Sequence, residues 1–227
     1  MPASGAVTRS TLRQQIADAL RDEVLAGRLL PGQEFTVKQI AEQYGVSATP
    51  VREALVDLSA QDLLDSDQHR GFRVHQFSVD DFRRMVDARS LIVDAVFRRL
   101  EGEHLAARAH GAVLVSVRRR AEEAARAARS GDLTILIGYD LRFWRELCAL
   151  VANPYVADFL HRLRVQAWVF SVPFLREDPE VRKRLWGGHE QLVDALTLGD
   201  APAVRAVIGE YDTHSLRWAD RLESPQR

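Results

Sequence analysis

The sequence predicts a mostly α-helical chain of two domains, and three observations support this. Apolar residues recur every three or four positions through most of the chain, which is the spacing of one helical face. Strand-like segments occur only before residue 77, around a polar turn. Beyond that point helix start and stop signals alternate without any strand pattern. We therefore expect a flexible tail at 1–8, a small mixed domain at 9–77 and an all-α bundle of about six helices at 78–227.

Composition excludes several classes of protein. No apolar run approaches the roughly 20 residues that a membrane-spanning helix needs, and the N-terminus lacks the apolar stretch of a secretory signal. One cysteine, Cys148, excludes an internal disulfide framework and fits a cytoplasmic protein; its apolar helical context predicts a buried small side chain rather than a nucleophile. The net charge is −1, and acidic residues slightly outnumber basic ones in the first domain. Evidence for nucleic-acid binding must therefore come from local placement of charge.

Three helices are predicted in the first domain. The first starts at Leu12 and stops at Gly27, and the second ends at Gly45. The third starts in the segment Ser47–Pro50, where a hydroxyl can cap free backbone N–H groups. Pro50 is tolerated there because its missing N–H has no intrahelical partner in a first turn.

A short hairpin is predicted after the third helix. Strand-like segments lie at 63–64 and 72–75, and Gly71 closes the polar turn between them. Three helices and such a hairpin are the elements of a winged helix-turn-helix, which places the N-terminus of its second paired helix in the major groove. We therefore expect this domain to bind double-stranded DNA.

The third helix carries the side chains expected to read DNA. Arg52 lies off the buried stripe that runs through Val51 and Leu55, so its guanidinium can reach guanine through two hydrogen bonds. The small hydroxyls of Ser47 and Thr49 allow a phosphate to approach the helix N-terminus. A basic side chain and a bare backbone at the wing tip could enter the minor groove. The alternative is a plain helix start with a solvated arginine. The expected DNA-binding residues are Lys38, Ser47, Thr49, Pro50, Arg52, Arg70 and Gly71.

This domain resembles the winged helix-turn-helix of the GntR family of transcriptional regulators. The resemblance covers about residues 9–75 and rests on LLPGQ…IAEQYGVSATPVREAL…HRGFRV, above all on SxTPVREAL and the RGF wing. It departs at Asp62, where the family usually has glycine; we expect a strained left-handed residue there without loss of fold. It also departs at Ala48, often basic in the family, which removes one phosphate contact. The resemblance implies a repressor, and a pseudo-palindromic operator requires a two-fold homodimer.

Capping signals divide the second domain into helices. Ser78 and Asp81 form a capping box at the start of its first helix. Pro173 is expected to break a helix, since proline lacks the backbone N–H. The other predicted boundaries are Gly131, Asn153–Pro154, Asp178–Glu180 and Gly199–Asp200.

The second domain resembles the helical effector domain, FCD-like, of the FadR-type branch of that family. YDLRFWRELCALVANPYV resembles the family's D-x-x-F-H…N-P segment, and GGHEQLVDALTLGDAPAVRAVIGEY resembles its H-x-x-I/L…A-L…G/R-D…A segment. The resemblance implies that a small-molecule effector binds this domain and alters operator affinity.

Many members of this branch hold a divalent metal through one Asp and three His. Asp140 and His189 match two of these positions, but the other two are Trp144 and Tyr211. His214 lies about one turn beyond Tyr211, so Asp140, His189 and His214 are a weak candidate set for a metal. Trp144 argues against a bound metal, because its large side chain would fill the space that the ligating side chain and the ion need. The preferred interpretation is a metal-free pocket that Trp144 and Tyr211 line or plug.

Arg89 is the predicted anchor for an effector carboxylate, in the first helix of the second domain. The family's nearby Glu is replaced by Val93, and an internal salt bridge is the alternative role of Arg89. Aromatic residues are expected mostly in the core, and a pocket bounded by several of them favours an effector with an apolar part. The aromatic set is Phe143, Trp144, Phe170, Trp186, Tyr211 and Trp218. The expected effector-binding residues are Arg89, Asp140, Trp144, His189, Tyr211 and His214.

Two other functions stay open on the sequence. One is a metal-dependent helical-bundle enzyme in which Asp140, His189 and His214 hold a metal-bound water as nucleophile, although no general base or cofactor motif accompanies them. The other is an interaction module whose winged helix binds protein. The sequence favours the DNA-binding regulator over both.

Overall fold

The computed structural model describes residues 11–67, 71–100 and 112–223. This part of the chain contains nine α-helices and one three-stranded sheet, so the predicted mostly α-helical fold is confirmed. The chain divides into two compact units, an N-terminal unit (Met1–Gln76) and a C-terminal unit (Phe77–Arg227). The tail predicted at 1–8 lies outside the described residues.

The N-terminal unit consists of three helices and a small antiparallel sheet. Its elements are α1 (Leu12–Leu25), β1 (Glu34–Phe35), α2 (Val37–Tyr44), α3 (Ala48–Ser59), β2 (Leu64–Asp67) and β3 (Gly71–Val74). The strand order is β1-β3-β2, with Glu34 opposite Arg73 and Ser66 opposite Phe72. The sequence did not predict β1, because a strand of two residues has no readable alternation. The wing therefore has three strands rather than two.

The core of the N-terminal unit lies between α1 and one face of α3. On α3, Val51 and Leu55 are fully buried and Leu58 is 1% exposed, which confirms the predicted stripe. Each such side chain stabilises the fold by roughly 1.5–3 kcal/mol relative to an exposed one. Because this stripe packs inward, the opposite face of α3 is exposed to solvent. The residues that pack with it include Ile16, Leu20, Val24, Ile40, Leu64 and Val74.

The C-terminal unit is all α-helical in its described residues, with the predicted number of six helices. They are α4 (Val79–Leu100), α5 (Ala112–Ser130), α6 (Leu133–Val151), α7 (Pro154–Glu177), α8 (His189–Leu198) and α9 (Ala201–Glu223). A single 3-10 turn, Val181–Lys183, lies between α7 and α8. Helix α6 packs against α5 and α7, and α9 packs against α4 and α8. Buried alanines on α5, among them Ala121, Ala124 and Ala128, allow close approach of α6.

Most predicted helix ends in this unit agree with the structure. The Ser78 N–H donates to Asp81 Oδ2 at 2.9 Å, and the Asp81 N–H donates to Ser78 Oγ at 3.1 Å. Asn153 caps α7 through a 3.0 Å bond from the Val156 N–H, with Pro154 in the first turn. Gly199 ends α8 in the left-handed conformation.

The predicted break at Pro173 is wrong. Helix α7 continues through Pro173 to Glu177. A proline inside a helix costs about 3 kcal/mol, but Val172 and Leu175 beside it are 0% and 4% exposed. Burial of these neighbours stabilises the helix beyond what local propensity predicts. The start predicted at Asp178–Glu180 is only the 3-10 turn.

Cys148 is buried, as predicted, and burial raises the pKa of its thiol. A buried, protonated thiol is a poor nucleophile, which fits a packing role. Among the described helices, none is both long and apolar enough to cross a bilayer.

Candidate functional site

Local hydrogen bonds fix the start of α2, and a glycine fixes the turn that joins α2 to α3. The Thr36 hydroxyl accepts from the Gln39 N–H at 3.2 Å, and Gln39 Oε1 accepts from the Thr36 N–H at 2.8 Å, which is a capping box at the start of α2. Gly45 ends α2 with φ of 65°, a value that glycine adopts without strain. This glycine turns the chain so that α3 begins three residues later.

The start of α3, Ser47–Arg52, is hereafter the helix tip. Ser47 occupies the cap position, but its side chain makes no capping hydrogen bond. Ser47, Ala48 and Thr49 are all exposed, and Pro50 is half-buried. The first N–H groups of a helix have no intrahelical partners and form the positive end of its dipole. The helix tip therefore presents free hydrogen-bond donors and two hydroxyls to an approaching anion.

Arg52 lies on the outer side of α3. It is exposed and makes no ion pair or hydrogen bond with any described residue, while its neighbour Val51 is fully buried. Lys38, in the first turn of α2, is also exposed and lies 3.8 Å from Glu42. Both cations are thus available to a partner at the surface.

The wing, which consists of β1, β2, β3 and the turn between β2 and β3, requires glycine at position 71. Gly71 has φ of 97°, and a Cβ atom there would lie 2.7 Å from the Phe35 backbone oxygen. The close pairing of β1 with β3 therefore requires glycine at this position. Arg70, predicted at the wing tip, lies outside the described residues. Asp62 has φ of 56°, the left-handed conformation expected from the sequence.

A cavity of about 70 Å³, with polar and apolar lining residues, lies within the C-terminal unit. Helices α4, α6, α7 and α9 and the segment before α8 form its walls. Its volume corresponds to roughly five water-sized groups. Its polar lining residues are Arg89, Asp140, Arg164, Ser171, Arg184, Tyr211, His214 and Ser215. Its apolar lining residues are Phe82, Leu136, Ala167, Trp168, Leu175, Leu185, Trp186 and Trp218.

Four of the six predicted effector residues line this cavity. They are Arg89, Asp140, Tyr211 and His214. The other two, Trp144 and His189, lie behind the wall and contact Asp140.

Asp140 is held by three N–H donors. The indole of Trp144 donates to Oδ1 at 2.9 Å, and the indole of Trp168 donates to Oδ2 at 2.8 Å. Nε2 of His189 lies 2.9 Å from Oδ1, so we assign the proton to Nε2. Burial alone would raise the pKa of Asp140, but the His189 hydrogen bond, the charge of Arg164 and the Trp168 bond hold it below its ordinary value. Asp140 is therefore a buried carboxylate.

Arg164, on α7, is a buried cation that the sequence did not single out. It is 3% exposed, and its guanidinium lies 4.0 Å from the centre of the Trp144 ring. Its Nη1 donates to the Tyr211 hydroxyl at 2.8 Å. One signal was present in the sequence: Arg164 falls four residues after Leu160, on the buried stripe of α7. A cation on an apolar stripe is unusual, because removing a charge from water is costly unless other groups compensate it.

Arg89 forms the internal salt bridge that was its alternative role. Its Nη2 lies 2.6 Å from Asp212 Oδ1, and its Nε lies 3.1 Å from the same oxygen. Nη2 also lies 3.2 Å from the Ser215 hydroxyl, and the guanidinium stacks 4.2 Å above the Tyr211 ring. Arg89 thus lines the cavity with its charge already compensated.

Arg184 and His214 also make hydrogen bonds within the unit. Arg184 donates to Asp178 at 3.1 Å and to Glu180 at 3.0 Å. Nε2 of His214 donates to the Arg184 carbonyl oxygen at 2.9 Å. Burial lowers the pKa of His214, although this hydrogen bond opposes the shift. His214 is therefore neutral near pH 7, with Nδ1 as its acceptor.

The weak metal set Asp140, His189 and His214 is not assembled. The described residues contain no group of three or more His, Cys, Asp or Glu side chains that could hold a metal ion. Nε2 of His214 is committed to a backbone carbonyl, and the Trp144 indole N–H occupies Asp140 Oδ1. Indole nitrogen only donates, so it cannot replace a ligating imidazole. The residues present do not fit a divalent metal.

Two sequence families match the chain. The bacterial regulatory proteins of the gntR family match residues 12–74, which span the three helices and the wing. The FCD domain matches residues 98–212, about half of the chain, within the unit that holds the cavity.

Two bacterial regulators are similar to this chain over most of its length. The "Probable D-xylose utilization operon transcriptional repressor" of Paenarthrobacter nicotinovorans is 29% identical over 86% of this chain and 82% of its own length. The HTH-type transcriptional regulator McbR of Escherichia coli (strain K12) is 26% identical over 92% of this chain and 93% of its own length.

Solved structures share the fold. The E. coli McbR/YncC structure superposes with a TM-score of 0.76 at 22% identity, covering 95% of this chain and 100% of that one. A GntR regulator from Rhodococcus sp. RHA1 superposes with a TM-score of 0.70 at 20% identity, covering 95% and 99%. Together with the family matches, these likenesses confirm the resemblance found in the sequence. The chain belongs to the GntR family of bacterial transcriptional regulators and carries a C-terminal FCD domain.

Proposed function

We propose that this regulator is a repressor that binds a pseudo-palindromic operator as a homodimer, and that a small anionic effector in the cavity changes its operator affinity. The observation that carries the proposal is the helix tip. Its cap position makes no side-chain bond, and Arg52 is exposed and has no partner among the described residues. The backbone N–H groups of the helix tip and the Arg52 guanidinium are thus free to contact a phosphate and a base edge.

Each DNA-binding residue has a separate role in this proposal. Arg52 reads guanine through two hydrogen bonds in the major groove. Ser47 and Thr49 lie where a phosphate meets the helix N-terminus, and Pro50 fixes the first turn. Lys38 contacts a phosphate from the neighbouring helix. Two copies related by a two-fold axis would present two such tips about one DNA turn, roughly 34 Å, apart.

The wing completes the proposed DNA-binding surface. Arg70 and Gly71 belong to it by sequence position, and Gly71 sets the backbone course at the start of β3. Arg73, on β3, is exposed and lies 3.2 Å from Asp65. We propose that the wing contacts the minor groove next to the site of Arg52.

The cavity suits a small anion with an apolar part. Three guanidinium groups line it, from Arg89, Arg164 and Arg184, and much of the remaining wall is apolar. A carboxylate can accept paired hydrogen bonds from a guanidinium while its carbon chain contacts the apolar wall. Occupancy would favour one arrangement of the dimer, and coupling of this kind typically changes affinity by roughly 5- to 150-fold.

The enzyme alternative is not proposed here, because the three ligands of its metal are not assembled in the described residues. The interaction-module alternative has no supporting observation, whereas the free donors of the helix tip suit a phosphate-bearing partner. The relative from Paenarthrobacter nicotinovorans is named as a transcriptional repressor, which supports repression rather than activation as the role of this chain.

The test is a titration of the purified chain with an operator fragment that it selects from random duplex DNA. Arg52→Ala should weaken operator binding by roughly 5- to 150-fold, the range for one lost bidentate base contact. Arg126→Ala is the matched control, since Arg126 is an exposed arginine in the C-terminal unit, paired with Glu123. Unchanged operator affinity of Arg52→Ala, or no selected sequence at all, would contradict the proposal.

A further inference from the structure

We infer that the guanidinium of Arg164 takes the place of the metal ion in this cavity and is the group that binds the carboxylate of the effector. This inference rests on the proposed function, which assigns an anionic effector to the cavity.

The first support is that both replaced ligand positions contact Arg164. The Trp144 ring lies 4.0 Å from the guanidinium carbon, and the Tyr211 hydroxyl accepts from Nη1 at 2.8 Å. Neither side chain offers an imidazole lone pair to a metal. Both stabilise an organic cation, one through the face of an indole and the other through a phenol oxygen. The two substitutions that remove a metal site thus build a guanidinium site.

The second support is the counter-charge. Asp140 is buried and accepts three N–H bonds, which favour its ionised form. No nitrogen of Arg164 lies within ion-pair distance of a described carboxylate, so the charge of Asp140 acts on Arg164 through space. An uncompensated cation would be costly to bury. Asp140 therefore offsets the cost of burying the Arg164 charge without occupying its donors.

The third support is the free hydrogen-bonding capacity of Arg164. A guanidinium has five N–H donors, and the one hydrogen bond it makes to the described residues uses Nη1. The Nε and Nη2 atoms of Arg164 make no hydrogen bond to a described residue. Neither atom belongs to the fully buried polar atoms that lack a partner, so both remain accessible. Because Arg164 lines the cavity, we infer that these two nitrogens face it. Nε and Nη2 together are the edge that binds a carboxylate through two parallel hydrogen bonds.

The other two cavity arginines are already paired. Arg89 lies 2.6 Å from Asp212, and Arg184 lies within 3.1 Å of Asp178. Among the three arginines of this described cavity, only Arg164 lacks a carboxylate partner. The anchor is therefore Arg164 rather than Arg89, the residue that the sequence favoured.

The volume of the cavity favours a small ligand. Space for roughly five water-sized groups suits a carboxylate of about five heavy atoms, such as propionate. Phe82 and Leu175 offer apolar contacts for its carbon atoms. The chemical class is thus a short carboxylate, bound without a metal.

Tryptophan fluorescence of the purified full-length chain tests this directly. All four tryptophans line the cavity or contact its lining residues. Titration with propionate should give a saturable change that its neutral isostere propionamide does not give. Arg164→Met should weaken propionate binding by about 10- to 150-fold, the range for lost charge-assisted hydrogen bonds. Arg162→Met, an exposed arginine on the same helix, should match the wild type.

Metal titration by calorimetry is the second measurement. The wild type should bind no Zn²⁺, Ni²⁺ or Mn²⁺ stoichiometrically, whereas the double variant W144H/Y211H should gain binding of at least one of these ions. If Arg164→Met does not fold, as judged by circular dichroism, Tyr211→Phe removes only the hydroxyl that holds Nη1 and should still weaken propionate binding.

Three results would overturn the inference: stoichiometric metal binding by the wild type, no preference for propionate over propionamide, or propionate binding that survives loss of the Arg164 guanidinium. None of these measurements uses DNA. Failure here would leave operator binding by Arg52 intact, so the two proposals fail separately.

Discussion

The helix tip and the cavity use polar side chains in opposite ways. At the helix tip, Ser47 makes no capping bond and Arg52 makes no hydrogen bond or ion pair with another described residue. In the cavity, Asp140 accepts three hydrogen bonds and Arg89 is bound to Asp212. A surface that meets DNA keeps its donors free, whereas a buried site must satisfy most of its polar groups before a ligand arrives. Substitutions at the helix tip should therefore affect operator binding with little loss of stability, whereas substitutions of the paired groups in the cavity should lower stability.

The largest expected effect on stability is at Asp140. Asp140→Ala should lower the free energy of unfolding by about 3–5 kcal/mol, because it leaves a buried guanidinium and three N–H donors uncompensated. Arg52→Ala should change it by about 0.5 kcal/mol or less, since Arg52 is exposed. Urea unfolding followed by circular dichroism measures both.

Asp158→Ala is the control for loss of one acidic charge, since Asp158 is exposed on α7. Equal losses of stability for Asp140→Ala and Arg52→Ala would remove the distinction between the two regions.

The two regions also differ in how far the sequence could predict them. The outward position of Arg52 follows from the local spacing of Val51 and Leu55, which is a property of one helix. The partner of Arg89 lies 123 residues away, at Asp212, and no local pattern reveals it. The bond from Arg164 to Tyr211 spans 47 residues in the same way. Sequence reasoning therefore predicted the outward position of Arg52, whereas the effector anchor that it predicted, Arg89, differs from the anchor that we propose, Arg164.

Fold prediction failed where tertiary contacts override local preference. The break expected at Pro173 did not occur because buried neighbours hold α7 together. Strand β1 was missed because its two residues are defined by pairing with β3. Helix ends with their own capping signals, such as Ser78 and Asn153, were predicted well because caps are local hydrogen bonds.

A matched pair of cap substitutions sharpens the comparison within the N-terminal unit. Thr36→Ala should lower the free energy of unfolding by about 1 kcal/mol, because Thr36 caps α2. Ser47→Ala should change it by no more than a few tenths, since Ser47 makes no capping bond on α3. Ser47→Ala should instead weaken operator binding. Thermal unfolding and operator titration separate the two effects, and equal loss of stability in both variants would show that Ser47 is an ordinary cap.

The smallest expected effect is a pH dependence from His214. Burial, opposed by the hydrogen bond to Arg184, holds its pKa in the folded chain below the ordinary value of 6.5. The unfolded chain then binds the proton more readily, so this contribution to stability is present above about pH 6.5 and is lost as pH falls through the folded value. The carboxylates with lowered pKa, such as Asp178 and Glu180, lose their contributions mainly as pH falls below their ordinary values of 3.8 and 4.5, which lie under this window.

The check is unfolding at pH 7 and pH 5 in wild type and His214→Gln, a variant that keeps a donor for the Arg184 carbonyl but does not titrate. The wild type should lose more stability than the variant over this interval. A greater loss in the variant would reverse the assigned sign.

The most direct measurement of the central claim pairs Arg52→Ala with a change in the DNA. In the selected operator, each conserved guanine is replaced in turn by 7-deazaguanine, which lacks the N7 acceptor that an arginine uses in the major groove. At one guanine per half-site, the wild type should lose affinity on this replacement while Arg52→Ala loses none further. If both proteins lose affinity equally at every guanine, Arg52 does not read a base, and the role assigned to the helix tip is wrong.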